Sequence, residues 1–375
     1  MSRDLETHNK KKQSSVISTL IKKKTHSREV KSQGGLRTEP ISRTSTRPDT
    51  VETHTSRGSF IYHYPIGRGG FGRVWKVEMR KTHQFFAMKE MEKLRIVSKR
   101  SVHSVLNERQ ILETLKNPFI VNMCYAFQDR ENLYLVMDLM SGGDLRFHII
   151  RHKFFLESQV KFFMACIISG LEYIHENGVL HRDIKPENLV FDSKGYLKIT
   201  DFGIARNWQP ENAKDTSGTP GYMAPEVLCR QNHGIAVDYF ALGVIMFELM
   251  MGYRPYIGRD RREIRDQILS RQAKIKPNNV PIGWSFESVD FVNKLLQRKA
   301  SYRLGFKGVG EVKEHPWLRD FNWESLYIGA LPSPFVPDKE DNFDPRVTGE
   351  WKDDIDPLLQ IDSVQSLFGD YNYNH

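Results

Sequence analysis

The pattern of apolar and polar positions changes character twice along the chain. Residues 1–57 show no sustained apolar period. Aromatic and β-branched runs then occupy residues 60–66 and 73–79, joined by a glycine-rich turn, and predict a hairpin. Residues 85–91 predict a third strand. Between residues 102 and 115, Val105, Leu106, Ile111, Leu112 and Leu115 fall at helical spacing, and strand-like runs return at 120–127 and 133–139. After Gly142-Gly143 the pattern turns helical. Ser158 is expected to cap a helix whose apolar set, Val160, Phe163, Met164, Ile167, Ile168, Leu171 and Ile174, ends at Asn177-Gly178. Further helices are expected at 237–251, 261–269 and 289–296. Beyond Pro316 the chain grows rich in Pro, Asp and Asn, which suggests a tail wrapped on the surface. The expectation is an α+β chain: a small antiparallel β lobe with one main helix, then a larger, mostly helical lobe.

Composition narrows this picture. With 375 residues, 39% hydrophobic and 27% charged, the chain has material for a large core. No run reaches the roughly 18 apolar residues of a membrane span. The richest stretch, 241–251, is short and carries Glu248, so it reads as a buried helix. Three widely spaced cysteines build neither a disulfide framework nor a zinc site, which favours a reducing, intracellular and cytoplasmic setting. The N-terminus lacks a signal core, and its second residue is not the glycine of a myristoylation site.

The net charge of +9 raises the question of nucleic acid. Residues 1–57 hold 13 Lys+Arg against 6 Asp+Glu, leaving 42 against 40 for the remainder. The globular part is therefore almost neutral, and nothing in the basic arm resembles a nucleic-acid module. That arm reads as disordered: either a solvated leader or a tail for a docking partner or an acidic surface.

Candidate chemistry begins at Gly67-Arg68-Gly69-Gly70-Phe71-Gly72-Arg73-Val74, a G-x-G-x-x-G-x-V sequence. Glycines let a backbone bring its N–H groups onto phosphates where a Cβ would hold it away. Alone, the pattern also fits an ordinary hairpin turn; a dinucleotide loop would open a helix instead. Lys89, among the apolar residues Phe86, Ala87 and Met88, is costly unless it meets an anion. His181-Arg182-Asp183-Ile184-Lys185-Pro186-Glu187-Asn188 then sets a base, two cations and an amide together. Asp201-Phe202-Gly203 and Ala224-Pro225-Glu226 follow in order.

Glycine loop, strand lysine, HRD-x-K-x-x-N, DFG and APE in this order resemble the eukaryotic protein kinase fold over about residues 60–317. The resemblance implies domains at 1–57 (basic arm), 58–139 (small lobe), 140–317 (large lobe) and 318–375 (tail). It also implies ATP and Mg²⁺. Asp183 becomes the base, Lys185 the cation at the transferring phosphate and the mark of a Ser/Thr kinase, and Thr219 the hydroxyl that orients the base. Asn188 and Asp201 become the Mg²⁺ ligands. Ile66, Gly67, Gly69, Gly72 and Lys89 would hold nucleotide, with Glu108 pairing Lys89. Val74, Ala87 and Val190 would sandwich the adenine, Met137 would guard its rear, Asp138 to Met140 would read its edge, and Asp144 would bind ribose.

Leu106-Asn107-Glu108-Arg109, Arg303-Leu304-Gly305, His315-Pro316-Trp317 and residues 331–337 resemble the AGC group, the relatives of cAMP-dependent kinase. Phe368-Gly369-Asp370-Tyr371 is similar to the tether that returns to the nucleotide, which assigns Phe368 to the cofactor. The downstream Phe-x-x-Phe motif is then missing. With Asn342-Phe343-Asp344-Pro345, this makes the tail look like the YANK-type branch or a divergent protist relative. Asp144, Glu187 and Glu248, sheltered by Tyr253, resemble the acids that meet arginines upstream of the target Ser or Thr of a protein substrate, which implies a basophilic enzyme. Arg182 and Arg206 would dock an activation-loop phosphate. Counting back from Gly218 gives either Asp215 as a fixed negative charge or Thr216 as a shifted phosphosite, and Gly221 stands where relatives often have Glu. The competing readings are a pseudokinase, expected to lose Lys89, Asp183, Asn188 or Asp201, and a metabolic transferase of similar fold.

Overall fold

The structure, a computed structural model, describes residues 55–338 and 362–374. Nearly all of the basic arm and the Asn342-Phe343-Asp344-Pro345 segment lie outside the described residues. The strands are β1 (Phe60–Arg68), β2 (Gly72–Met79), β3 (Phe85–Glu92), β4 (Met123–Gln128), β5 (Asn132–Asp138), β6 (Val179–Leu180), β7 (Leu189–Phe191), β8 (Leu197–Ile199), β9 (Arg206–Asn207) and β10 (Tyr373–Asn374). The helices include α1 (Lys93–Ser98), α2 (Val102–Thr114), α3 (Leu145–His152), α4 (Glu157–Glu176), α5 (Pro225–Leu228), α6 (Ala236–Met251), α7 (Arg261–Ser270) and α8 (Phe286–Leu295). No helix among the described residues is long and apolar enough to cross a membrane.

The described residues form two compact units, one of 55–106, 124–136 and 362–374, the other of 107–123 and 137–338. This differs from the contiguous cut at residue 139: most of α2 and the segment after it belong with the larger unit.

In the first unit one sheet runs β1-β2-β3-β5-β4-β10. Period-two alternation places Phe60, Val77, Phe86, Met88, Phe127 and Tyr134 in one buried cluster. Pro65 is tolerated because β1 is an edge strand, and the register slips beside it. The short helix α1 escaped the sequence reading because six residues carry too little periodicity. It starts at Lys93, whose ammonium is buried, donates to the Asp129 carbonyl and to Gln365 Oε1 at 2.6 Å each, and lies 5.4 Å from the Phe368 ring centre. Burial holds its pKa down to about 8.

The tail end is anchored on this sheet. Phe368 and Tyr371 are fully buried, the Phe368 carbonyl accepts from Gln128 Nε2 at 2.8 Å, and β10 pairs Tyr373 with Ala126 on β4. Phe368-Gly369-Asp370-Tyr371 is therefore packed on the small sheet. Two buried rings and strand partners for the β4 edge supply the driving force.

In the larger unit α4 and α6 form the core. The α6 helix is mostly apolar and buried on all sides from Ala236 to Met250, its acids Asp238 and Glu248 included. The α4 helix starts at Glu157, one residue before the expected cap, because Gln159 Oε1 receives the Leu156 N–H at 3.0 Å while Glu157 serves Ser285 and Trp317. It ends as expected at Gly178, φ +71°. Gly170 is dictated by packing: a Cβ there would lie 2.9 Å from Ile199 and 3.0 Å from the Phe119 carbonyl. Of the tail expected on the surface, Phe335 instead packs its ring among His148, Phe155, Phe163 and Phe191.

Candidate active site

The His181-Arg182-Asp183 segment is positioned by one buried carboxylate. Asp238, in the first turn of α6, accepts from the backbone N–H groups of His181 and Arg182 at 3.0 and 2.7 Å and faces His175 Nε2 at 2.8 Å. These bonds hold its carboxyl below the usual range despite burial. Arg182 (φ +68°) and Asp201 (φ +63°) both adopt the left-handed backbone that non-glycine residues avoid. Such strain persists only where surrounding bonds impose it, and both residues flank the expected chemistry. The His181 ring is buried, lies edge-on to Phe202 and bonds the Thr200 carbonyl at 3.1 Å. Burial pushes its pKa down, so the ring stays neutral at pH 7.

Asp183 is the hub. Its Oδ1 accepts from the Thr219 hydroxyl at 2.6 Å; its Oδ2 accepts from Lys185 Nζ at 2.6 Å and from Asn188 Nδ2 at 3.2 Å. Lys185 also donates to Thr219 at 3.0 Å. Asn188 spends its amide nitrogen on Asp183, with a further bond to that residue's carbonyl at 2.9 Å, so its side-chain oxygen is the end suited to a metal. Asp201 is exposed, and its Oδ1 accepts from the Gly203 N–H at 3.3 Å. A Cβ built on Gly203 would lie 3.7 Å from Glu108 Oε2, which puts that buried carboxylate beside the Asp201-Phe202-Gly203 segment. Among the described residues no cluster of three or more His, Cys, Asp or Glu could hold a metal. One carboxylate and one amide oxygen suit Mg²⁺, which keeps several positions for water and phosphate.

The nucleotide candidates divide between the units. In the smaller unit, Ile66 and Gly67 end β1, and Gly67 and Lys89 both lie opposite Val74 in the sheet register. Ala87 is buried opposite Lys76. The glycines of this loop have different reasons. A Cβ on Gly72 would fall 1.8 Å from the Glu90 carbonyl, so the fold alone requires glycine there, whereas Gly69 and Gly70 have room around them. In the larger unit, Met137 and Asp138 end β5, the Asp138 carboxylate holds Asn122 at 3.0 Å, and Met140 follows. Val190 on β7 bridges Asp144, whose Oδ1 caps α3 by accepting from Phe147 N–H at 2.8 Å. Burial raises the Asp144 pKa.

Of the two activation-loop alternatives, the structure brings only Asp215 to an arginine: its Oδ2 lies 3.3 Å from Arg182 Nη1, while Thr216 is exposed. Arg182 also donates Nε and Nη2 to the Ile204 carbonyl, and Arg206 donates to the Ala205 carbonyl at 2.8 Å. The substrate candidates Glu187 and Glu248 do come together, but around Arg146, a residue the sequence reading missed. Its only signal was a charged side chain between the apolar Leu145 and Phe147. Tyr253 is half exposed, its ring edge-on to Phe247 at 5.7 Å.

The family profile described as protein kinase domain matches residues 60–318. A probable serine/threonine-protein kinase of Dictyostelium discoideum is 38% identical over 301 residues, covering 78% of this chain and 65% of the relative. The ribosomal protein S6 kinase beta of Caenorhabditis elegans is 38% identical over 299 residues (76% of this chain, 53% of the relative). The cAMP-dependent protein kinase catalytic subunit of Dictyostelium discoideum is 35% identical over 313 residues (82% and 47%). The chain thus spans about half to two thirds of the length of these relatives. With the profile covering most of the chain and these relatives above 30% identity, the protein belongs to the protein kinase family, on its AGC-like side.

Proposed function

We propose that the protein is a Mg-ATP-dependent Ser/Thr protein kinase that moves the γ-phosphate of ATP onto hydroxyls of protein substrates. The observation that carries this reading is the Asp183 carboxylate held between Thr219, Lys185 and Asn188. Asp183 takes the proton as the substrate oxygen bonds phosphorus and the bond to the departing diphosphate breaks. Thr219 fixes the carboxylate's orientation. Lys185 stands within reach of both and neutralises charge on the transferring group. Asn188 and Asp201 would hold Mg²⁺, which supplies charge neutralisation and alignment of the phosphates. The phosphates are assigned to residues 67–72 and Lys89, with Glu108 as the partner of Lys89 and Asp144 as the ribose acid.

A binding-only scaffold is the second reading. All four residues it would be expected to lose are present, which favours the enzyme. Transfer of label from ATP to a Ser/Thr peptide array, abolished by a divalent-metal chelator, is the expected result; nucleotide binding without transfer to any peptide would favour the scaffold.

Regulation follows from Asp215. We read its carboxylate as a permanent stand-in for an activation-loop phosphate on Arg182, which makes activity independent of an upstream kinase. The expected outcome is that Asp215→Ala lowers kcat/KM by roughly tenfold, the scale of one charge-assisted contact. Thr216→Ala should leave the rate near that of the parent. The reverse ranking, read in peptide assays on phosphatase-treated protein, would make Thr216 the switch.

A further inference from the structure

The acids expected to receive a substrate arginine already have one. Arg146, in the first turn of α3, donates Nε to Glu187 Oε1 at 3.0 Å and Nη1 to Glu248 Oε1 at 2.7 Å. Its Nη2 donates to Glu248 Oε2 at 3.1 Å and to the Tyr222 hydroxyl at 2.6 Å. Tyr222 in turn donates to Glu248 Oε2 at 3.2 Å. This is a forked guanidinium on a carboxylate, with a second carboxylate at its flank. The Arg146 side chain is 21% exposed and that of Glu248 8%, so the pair is largely removed from water and its screening. Placement is set by the fold: Asp144 caps α3, Leu145 is fully buried beside it, and Arg146 follows on the next face.

A second, independent feature concerns the outer side of the same region. Gly221, where relatives often carry Glu, has φ +97°, and a Cβ there would lie 3.7 Å from Arg254 Nη1. A cation therefore stands where an acid was expected. Glu187 and Glu248 against Arg146 and Arg254 cancel, and the third acid, Asp144, leaves one negative charge, its Oδ1 engaged at the N-terminus of α3.

We propose that Arg146 is a built-in occupant of the acidic subsite and cancels arginine selection there, so that the enzyme takes Ser/Thr sequences with neutral or acidic residues upstream. This replaces the basophilic preference expected from sequence, and it rests on the protein kinase reading above. An incoming arginine must expel a guanidinium that is tethered to the same chain and so never dilutes away. Expulsion would also leave Arg146 desolvated without its partners.

The test uses the full chain and paired Ser peptides that differ only by Arg or Ala at each upstream position, read as the ratio of kcat/KM values. The parent ratio is expected within about threefold of one at every position. Arg146→Ala should raise the ratio at one position by roughly tenfold or more, the scale of a freed charge-assisted bond. That gain should weaken in salt and vanish in Arg146→Ala/Glu248→Gln. A parent ratio above about threefold overturns the proposal, as does an Arg146→Ala ratio that stays at the parent value. If Arg146→Ala does not fold, the parent ratio decides by itself. A parent chain that binds ATP but labels neither peptide of any pair would overturn the kinase reading and this inference with it.

Discussion

Asp183→Asn should cut kcat for peptide phosphorylation by roughly 10²- to 10⁴-fold, the usual contribution of a positioned general base. The substitution preserves shape but removes the charge that draws both Lys185 and the Thr219 hydroxyl to 2.6 Å. An amide also offers one acceptor oxygen where Asp183 now uses two, against donors from Thr219, Lys185 and Asn188. One donor is then left facing another, and the oxygen that should take the substrate proton is no longer basic. ATP binding should survive, because the residues assigned to the phosphates are untouched. Single-turnover transfer of labelled phosphate, set beside ATP titration by thermal shift, separates the two effects. Activity above about a tenth of the parent's would remove Asp183 from the role of base.

The largest stability effect is expected at Arg303. Its side chain has no exposure, and it grips Glu226 of α5 with Nη1 to Oε1 at 2.6 Å and Nη2 to Oε2 at 2.9 Å. The same guanidinium donates to the carbonyls of Ala236, Gln297 and Arg298 and lies 5.0 Å from the Phe240 ring centre. Arg303→Ala leaves a buried carboxylate with no counter-charge, takes one donor from each of three carbonyls and opens a cavity. Breaking a buried pair from one side costs about 3–5 kcal/mol, which lowers Tm by roughly 6–20 °C for a unit of this size. Glu226→Gln should act in the same direction but less, since the fork keeps one acceptor. The double variant Arg303→Met/Glu226→Leu should be more stable than Arg303→Ala, because no charge is then left buried alone. Calorimetry on the three proteins checks the order. An Arg303→Ala Tm within about 2 °C of the parent's would show that the pair adds nothing to folding.

Much of the fold was legible because its periodicities are strong. The hairpin at the glycine loop, the third strand, α2, and the long helices α4 and α6 appear within one to three residues of their expected bounds. What escaped was short or tail-borne: α1 with six residues, α5 with four and β10 with two, none long enough to show a period. The packing of the Phe368 segment was hidden for a related reason: an aromatic pair in a polar tail shows no period, and its place on the sheet comes from the edge of β4 that β10 pairs with.

At the proposed catalytic centre the sequence alone determined which groups meet, because Asp183, Lys185 and Asn188 are neighbours along the chain and the local backbone brings a carboxylate, a cation and an amide together. The tertiary structure decided where distant charges end. Arg146 meets Glu248 across 102 positions, and Arg303 meets Glu226 across 77. Asp215, not Thr216, reaches Arg182. A motif specifies side chains whose spacing is set by local backbone. The partner that neutralises a buried charge is chosen by the packing of helices, and no local pattern of residues encodes that choice.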